Sequence, residues 1–132
     1  MPVLVDSNVI LDIVNDDPVW GDWSDGQVTL LQPAGLLVNS MIYSELCARA
    51  DSTSEVDALM IQLHLEFLEL SREALFLAAK AFLRYRQRGG TKTSPLPDFF
   101  IGAHAEVLGV AILTRDKERY KTYFPSVPLI CP

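Results

Sequence analysis

At 132 residues the chain has the length of one ordinary domain, which buries roughly two-thirds of its unfolded surface and so forms a core without covalent staples. Hydrophobic residues make up 49% of it and charged ones 21%, which excludes disordered and collagen-like chains, and no uninterrupted apolar run reaches the ~18 residues that span a bilayer. The net charge of −6 argues at first against a polyanionic partner, yet residues 1–79 hold two basic and thirteen acidic side chains against nine and four in residues 80–132, so a local basic face is compatible with an acidic protein.

Met1-Pro2 is followed by Val3-Leu4-Val5 and then Asp6, without the basic region, long apolar stretch or cleavage site of a signal peptide. Cys47 and Cys131 lack ligand-type spacing and lie in apolar surroundings, which predicts small core hydrophobes in a reducing cytosol and a cytoplasmic location. With no linker, repeat or low-complexity tract, residues 1–132 read as a single domain.

Val3-Leu4-Val5 is a short β-branched run that suits a buried central strand. Asp17-Pro18 offers an N-cap with proline at the first helical position, and Trp20, Trp23, Gln27, Leu30 and Leu31 follow on one side of a helix that Pro33-Ala34-Gly35 ends. Leu36-Leu37-Val38 is a second buried strand. Asn39-Ser40 then caps a helix with Ile42, Leu46 and Cys47 on the core side and Glu45 within it. Thr53 or Ser54 caps the next, whose Val56, Leu59, Met60 and Leu63 keep the spacing of a buried stripe. Phe67 and Leu68 extend briefly as a strand.

Ser71 opens the longest helix, with Leu75, Ala78, Ala79, Phe82 and Leu83 inward, Lys80, Arg84, Arg86 and Arg88 at its exposed end, and Gly89-Gly90 as its stop. A loop from Thr91 to Pro97 leads to a helix starting at Asp98 and ending at Gly109. Val110 to Leu113 forms a third buried strand, followed by Thr114-Arg115-Asp116, a short helix and a final strand from Val127 to Ile130. Buried strands alternating with helices predict an α/β protein, a parallel sheet covered on both faces, in which ligands bind beyond the carboxyl ends of the strands.

That rule directs attention to four acids. Asp6 ends the first strand and Asp116 follows the third. Asp98 stands in the first turn of its helix, where the positive end of the helix dipole favours an anion by ~0.3–1 kcal/mol, and Glu45 projects from the helix after Leu36–Val38. Four acids from four segments can converge on one rim, and their repulsion must be neutralised by protons or cations. Mg²⁺ or Mn²⁺ suits carboxylate oxygens, and no His/Cys set points to zinc. Such ions lower the pKa of a bound water and stabilise charge on a leaving oxygen, the chemistry of a nuclease. Each acid taken alone also has a local reading: Asp6 as a helix cap, Asp98 as a first-turn charge, Asp116 as a turn residue, Glu45 as a solvated helix position.

The residues resemble those of the PIN-domain ribonucleases, and among them the VapC-like toxins of bacterial toxin–antitoxin pairs. The resemblance covers nearly the whole chain. It is carried in order by Val3 to Asp12 around Asp6, by Val38 to Leu46 around Glu45, by Leu96 to Ala105 around Asp98, and by Leu113-Thr114-Arg115-Asp116 ahead of Arg119 to Pro125. It implies a three-layer α/β/α sandwich with a mainly parallel central sheet, Mg²⁺- or Mn²⁺-dependent cleavage of RNA, a cognate antitoxin that blocks the site, and a homodimer. It also implies that Asp6 and Asp98 are direct metal ligands, with Glu45 and Asp116 completing the shell or acting through water and Asn8 and Thr114 orienting water or substrate.

The basic residues Lys80, Arg84, Arg86, Arg88, Lys92, Arg115, Lys117, Arg119 and Lys121 then supply cations that admit a polyanion, with Arg115, beside Asp116, the first expected RNA contact. His104, six residues after Asp98, is off its helix face and reads as a packed or hydrogen-bonded helix residue. Trp20, Trp23 and Tyr43 read as core or dimer surface. Two other readings compete. An aspartyl-phosphate phosphatase needs a second acid two residues after its nucleophile, where this chain has Asn8, and a non-catalytic binding module would keep the fold as a partner surface.

Overall fold

The computed structural model describes residues 1–93 and 96–132. Strand β1 (Val3–Val5) is buried along its whole length. Asp6 then turns the chain into helix α1 (Ser7–Val14), its carboxylate accepting the Ser7 amide as an N-cap. The Asp17 carboxylate accepts the amides of Val19 and Trp20 at 2.9 and 2.8 Å. It therefore stabilises a turn, and helix α2 (Gly21–Leu31) opens at Gly21 rather than Pro18. The inward side of α2 is Gly21, Ser24 and Val28, whereas Leu30 is 70% exposed.

A 3-10 turn (Gln32–Ala34) and Gly35, at φ 106°, lead into β2 (Leu36–Val38). Asn39 caps α3 (Ser40–Cys47) by accepting the Met41 and Ile42 amides, and Ile42 and Leu46 are buried as expected. Ser52, one residue ahead of the expected pair, caps α4 (Thr53–Gln62) through the Glu55 amide, and β3 spans Leu65–Phe67.

Ser71 caps α5 (Arg72–Gln87) as anticipated. Its buried stripe is Ala74, Ala78 and Ala81, while Leu75 and Leu83 are exposed, as is Ala79. The expected leucine face is thus displaced by about one position, because small alanines let α5 approach α6 closely. The expected loop from Thr91 to Pro97 includes residues 94–95, outside the described residues. Helix α6 (Pro97–Leu108) begins with proline at its first position, where no intrahelical N–H is needed, and ends at Gly109, left-handed at φ 69°. Strand β4 (Ala111–Leu113), helix α7 (Glu118–Tyr123) and strand β5 (Leu129–Ile130) complete the chain, each strand shorter than its expected span.

The five strands form one sheet in the order β3-β2-β1-β4-β5, every neighbouring pair parallel, within an α/β/α sandwich. Val3 to Val5 register against Ala111 to Leu113. The chain leaves β1 for β2 on one side and returns to β4 on the other, so strand order reverses at β1/β4 and opens a crevice beyond their carboxyl ends. The Asp6 amide donates to the Leu113 carbonyl at 2.9 Å, which pins the first acid to that crevice. Cys47 and Cys131 are free and half-buried, Cys47 packing against the core. Among the described residues no helix is long and apolar enough to cross a membrane.

Candidate active site

Asp6 is the buried anchor of the crevice, 4% exposed. Its Oδ1 accepts the Ser7 amide at 2.8 Å. Its Oδ2 accepts the Thr114 hydroxyl and the Tyr120 hydroxyl, both at 2.9 Å, and more distantly the Asn8 amide at 3.5 Å. Glu45 reaches the same rim from α3 and accepts the Ser7 hydroxyl at 3.0 Å. From the start of α6, Asp98 meets the Tyr120 hydroxyl at 3.5 Å and the Arg119 guanidinium at 3.8 Å. Asp116 is exposed, and the Thr114 hydroxyl accepts its amide at 3.0 Å.

These acids sense one another. Burial, and then the charges of Asp6 and Asp116, push the Asp98 carboxyl up to about 6. Burial raises Asp6, with Glu45 adding to it against the Thr114 and Tyr120 hydrogen bonds. Burial also raises Glu45, with Asp98 adding, and burial with the Asp6 and Asp98 charges keeps the Tyr120 phenol protonated well above its usual range. Arg119 approaches Asp98 to 3.8 Å, and its charge lowers that carboxyl by less than burial and the neighbouring acids raise it.

This donor set fits a hard divalent cation in kind: oxygen ligands, excess negative charge and no sulfur or imidazole among them. It is not a finished cage, since no group of three His, Cys, Asp or Glu side chains among the described residues is drawn together tightly enough to hold an ion directly. Uncompensated carboxylates spread apart and take hydroxyl donors, and an ion that keeps part of its water shell can link oxygens at that spacing. Asp6 and Asp98, joined through Tyr120, are best placed to hold it, with Glu45 and Asp116 flanking.

The Asn8 amide donates to the Thr114 hydroxyl at 3.3 Å, and its carbonyl accepts the Arg115 amide at 3.2 Å, so Asn8 and Thr114 both brace Asp6. Arg115, the first expected RNA contact, is also a structural tie. Its guanidinium grips the buried Asp12 with two bonds of 2.6 and 2.9 Å, lies over the Trp20 ring at 5.5 Å, and shares Asp12 with the Ser24 hydroxyl at 2.8 Å. The fork ties α1 and α2 to the turn that carries Asp116. His104 is buried, its Nδ1 3.0 Å from the Asn39 amide nitrogen, which joins α6 to the cap of α3.

Sequence reasoning passed over Ser7, Asp12 and Tyr120. Asp12 left a signal, an acid inside the apolar run Val9 to Val14, because a charge in such a run is buried and needs a partner. Tyr120 left none, since its helix is too short to show a periodicity.

A family model described as PIN domain matches residues 3–125. The chain belongs to the PIN domain family. Three solved structures share the PIN domain's fold along essentially its whole length. VapBC2 from Rickettsia felis, bound to a promoter DNA fragment, is 19% identical, with 100% of this chain and 99% of that one covered and a TM-score of 0.76. DNA-bound VapBC from Salmonella typhimurium is 15% identical, with 99% and 98% covered and a TM-score of 0.74. A toxin–antitoxin complex from Klebsiella pneumoniae is 15% identical, with 98% and 97% covered and a TM-score of 0.72. A search of curated protein sequences finds no match to this PIN domain.

Proposed function

We propose that this PIN domain is a metal-dependent endoribonuclease, the toxin of a toxin–antitoxin pair, with Asp6, Glu45, Asp98 and Asp116 as its catalytic and metal-holding carboxylates. The observation that carries the reading is the acid-rich crevice at the β1/β4 switch point, where burial and neighbouring acids push Asp98 up to about 6 despite Arg119 at 3.8 Å. A bound Mg²⁺ or Mn²⁺ supplies a water of lowered pKa and offsets the charge that develops on the leaving oxygen. The chain's own residues do the rest. Thr114, Tyr120 and Ser7 fix the Asp6 carboxylate, and Asn8 ties it to the Asp116 turn. The exposed Lys80, Arg84 and Arg86 of α5 and Lys121 of α7, together with Arg115, draw the RNA backbone toward the acids.

The partner is a separate antitoxin chain. This assignment is supported by a structural neighbour described as a toxin–antitoxin complex and by one described as a member of the VapBC family of toxin–antitoxin systems. A homodimer acting in the cytoplasm completes the proposal.

The test is cleavage of structured and unstructured RNAs by wild type and by an Asp6→Asn/Asp98→Asn variant, with Mg²⁺, with Mn²⁺ and with EDTA. Cleavage that requires the metal and disappears in the variant is expected. Cleavage that persists in EDTA or in the variant refutes the carboxylate mechanism, and failure of the folded, metal-loaded protein to cut any RNA favours a binding module.

A further inference from the structure

We propose that the aromatic shelf beside the carboxylates, formed by Tyr85, Arg119 and Tyr123, is a subsite for one unpaired base of an RNA strand. The proposal rests on the ribonuclease reading and names what the same site grips next to the bond it cuts.

An open cavity of about 340 Å³ adjoins the acidic rim, with Tyr85, Asp116, Arg119 and Tyr123 in its lining. Helices α5 and α7 and the turn before α7 line it. Tyr85 of α5 and Tyr123 of α7 are half-buried with ring centroids 6.4 Å apart, and both stand edge-on to the buried Phe99 of α6 at 5.6 and 5.3 Å. The Arg119 guanidinium lies over the Tyr85 and Phe99 rings, 5.6 Å from each, and Arg88 lies over Tyr123 at 5.5 Å. Arg119 approaches Asp98 only to 3.8 Å, and its Nη1 is buried with no hydrogen-bond partner among the described residues. Ring faces therefore hold this cation in place while leaving it donor capacity.

Aromatic rings interleaved with arginines are what a single-stranded nucleic acid stacks on. Asp116 and Glu118 line the same cavity, and their charge disfavours a phosphate there. A base has a flat apolar face for the Tyr123 ring, since Tyr85 is stacked on Phe82 at 6.1 Å and covered by Arg119, and edge acceptors for a guanidinium, without charge to be repelled. It must be unpaired, because a base inside a duplex keeps its faces in the stack. Arg119 belongs to the shelf and also neighbours Asp98, so the seated base belongs to a nucleotide flanking the scissile phosphate.

The experiment removes the base from one nucleotide at a time on either side of the cleaved bond of a single-stranded RNA, comparing wild type with Tyr123→Ala. One abasic position is expected to raise the wild-type KM about tenfold, the scale of one lost base–aromatic stack, with kcat changed less. In Tyr123→Ala the intact RNA already carries a comparable KM penalty, and the abasic position adds nothing further. A flat abasic scan in wild type, or the same abasic penalty in both proteins, overturns the subsite while leaving the nuclease reading intact. Tyr123→Leu, which keeps the bulk without the ring, replaces the alanine variant if that one misfolds. If wild type cleaves no RNA, the ribonuclease reading fails by itself. The subsite is then decided in EDTA with single-stranded RNAs carrying 2-aminopurine at successive positions: quenching at one position that Tyr123→Leu abolishes supports it, and identical fluorescence with both proteins overturns it.

Discussion

The Asp6 carboxylate is buried deeply enough that burial raises its pKa, and it is held in place by a main-chain amide and the hydroxyls of Thr114 and Tyr120. Hydrogen bonds to a charged group contribute ~1.5–3 kcal/mol, so Tyr120→Phe is expected to destabilise the metal-free protein by about 2 kcal/mol in urea unfolding. The same change made on Asp6→Asn, where no charge remains to be solvated, should be clearly smaller; equal losses in the two backgrounds would mean that Tyr120 contributes packing rather than this bond. Asp12 presents the complementary case. Removing one partner of a buried pair is destabilising by ~3–5 kcal/mol and an exposed pair is worth under ~1. With Asp12 4% and Arg115 28% exposed, Asp12→Asn should fall between, about 2–3 kcal/mol by urea unfolding. Arg115→Lys should recover little relative to Arg115→Ala, because an ammonium cannot form the two-bond fork.

Helix α6 shows how packing between elements sets the site. Its Gly102 lies one turn beyond Asp98, and a Cβ there would stand 2.2 Å from the Phe124 ring, which is itself buried. Gly102→Ala gains ~1 kcal/mol of helix propensity, whereas overpacking a core costs ~1–3 kcal/mol. Since the ring cannot retreat, the net expectation is a fall of a few degrees in Tm together with weaker metal activation, because Arg119 and Tyr120 ride on the same α7 that Phe124 ends. An unchanged Tm would show that α7 shifts freely. The elements themselves were legible from caps and stop signals: Asn39, Ser71 and Gly109 act where their chemistry predicts. The inward face of α5 was not, because Leu75 and Leu83 share helical spacing with the alanines that do the packing, and hydrophobicity alone does not tell a large exposed residue from a small buried one. Likewise Asp6 and Thr114 were readable as strand-end positions, while the Asp12–Arg115 fork joins residues too far apart in the chain for spacing to pair them.

Over the whole molecule, the cluster makes the metal-free fold sensitive to pH in a direction that can be worked out. Asp98 titrates near 6 in the fold against the ordinary 3.8 of a free side chain, and Asp6 and Glu45 are shifted the same way. Between those values the folded chain holds protons that the unfolded chain has released, so this contribution to stability is fully present below the unfolded pKa and is lost as pH rises through about 6. His104 opposes it. Burial lowers its pKa, so its contribution is lost as pH falls through the ordinary value of 6.5. Comparing wild type with Asp98→Asn cancels the histidine. In EDTA, the Tm of wild type minus that of Asp98→Asn should therefore be more favourable to wild type at pH 5 than at pH 7.5. A divalent ion held as proposed should reverse the ranking, because it would bind ionised carboxylates in the folded state and compete there with protons. At a hundredfold excess over Kd it stabilises by ~2.7 kcal/mol. Adding Mg²⁺ should thus raise the wild-type Tm by several degrees at pH 7.5, by less at pH 5, and hardly at all in Asp98→Asn. A Mg²⁺ effect of equal size at both pH values would mean that the ion sits away from Asp98, and one that survives in Asp98→Asn would remove that residue from the ligand set.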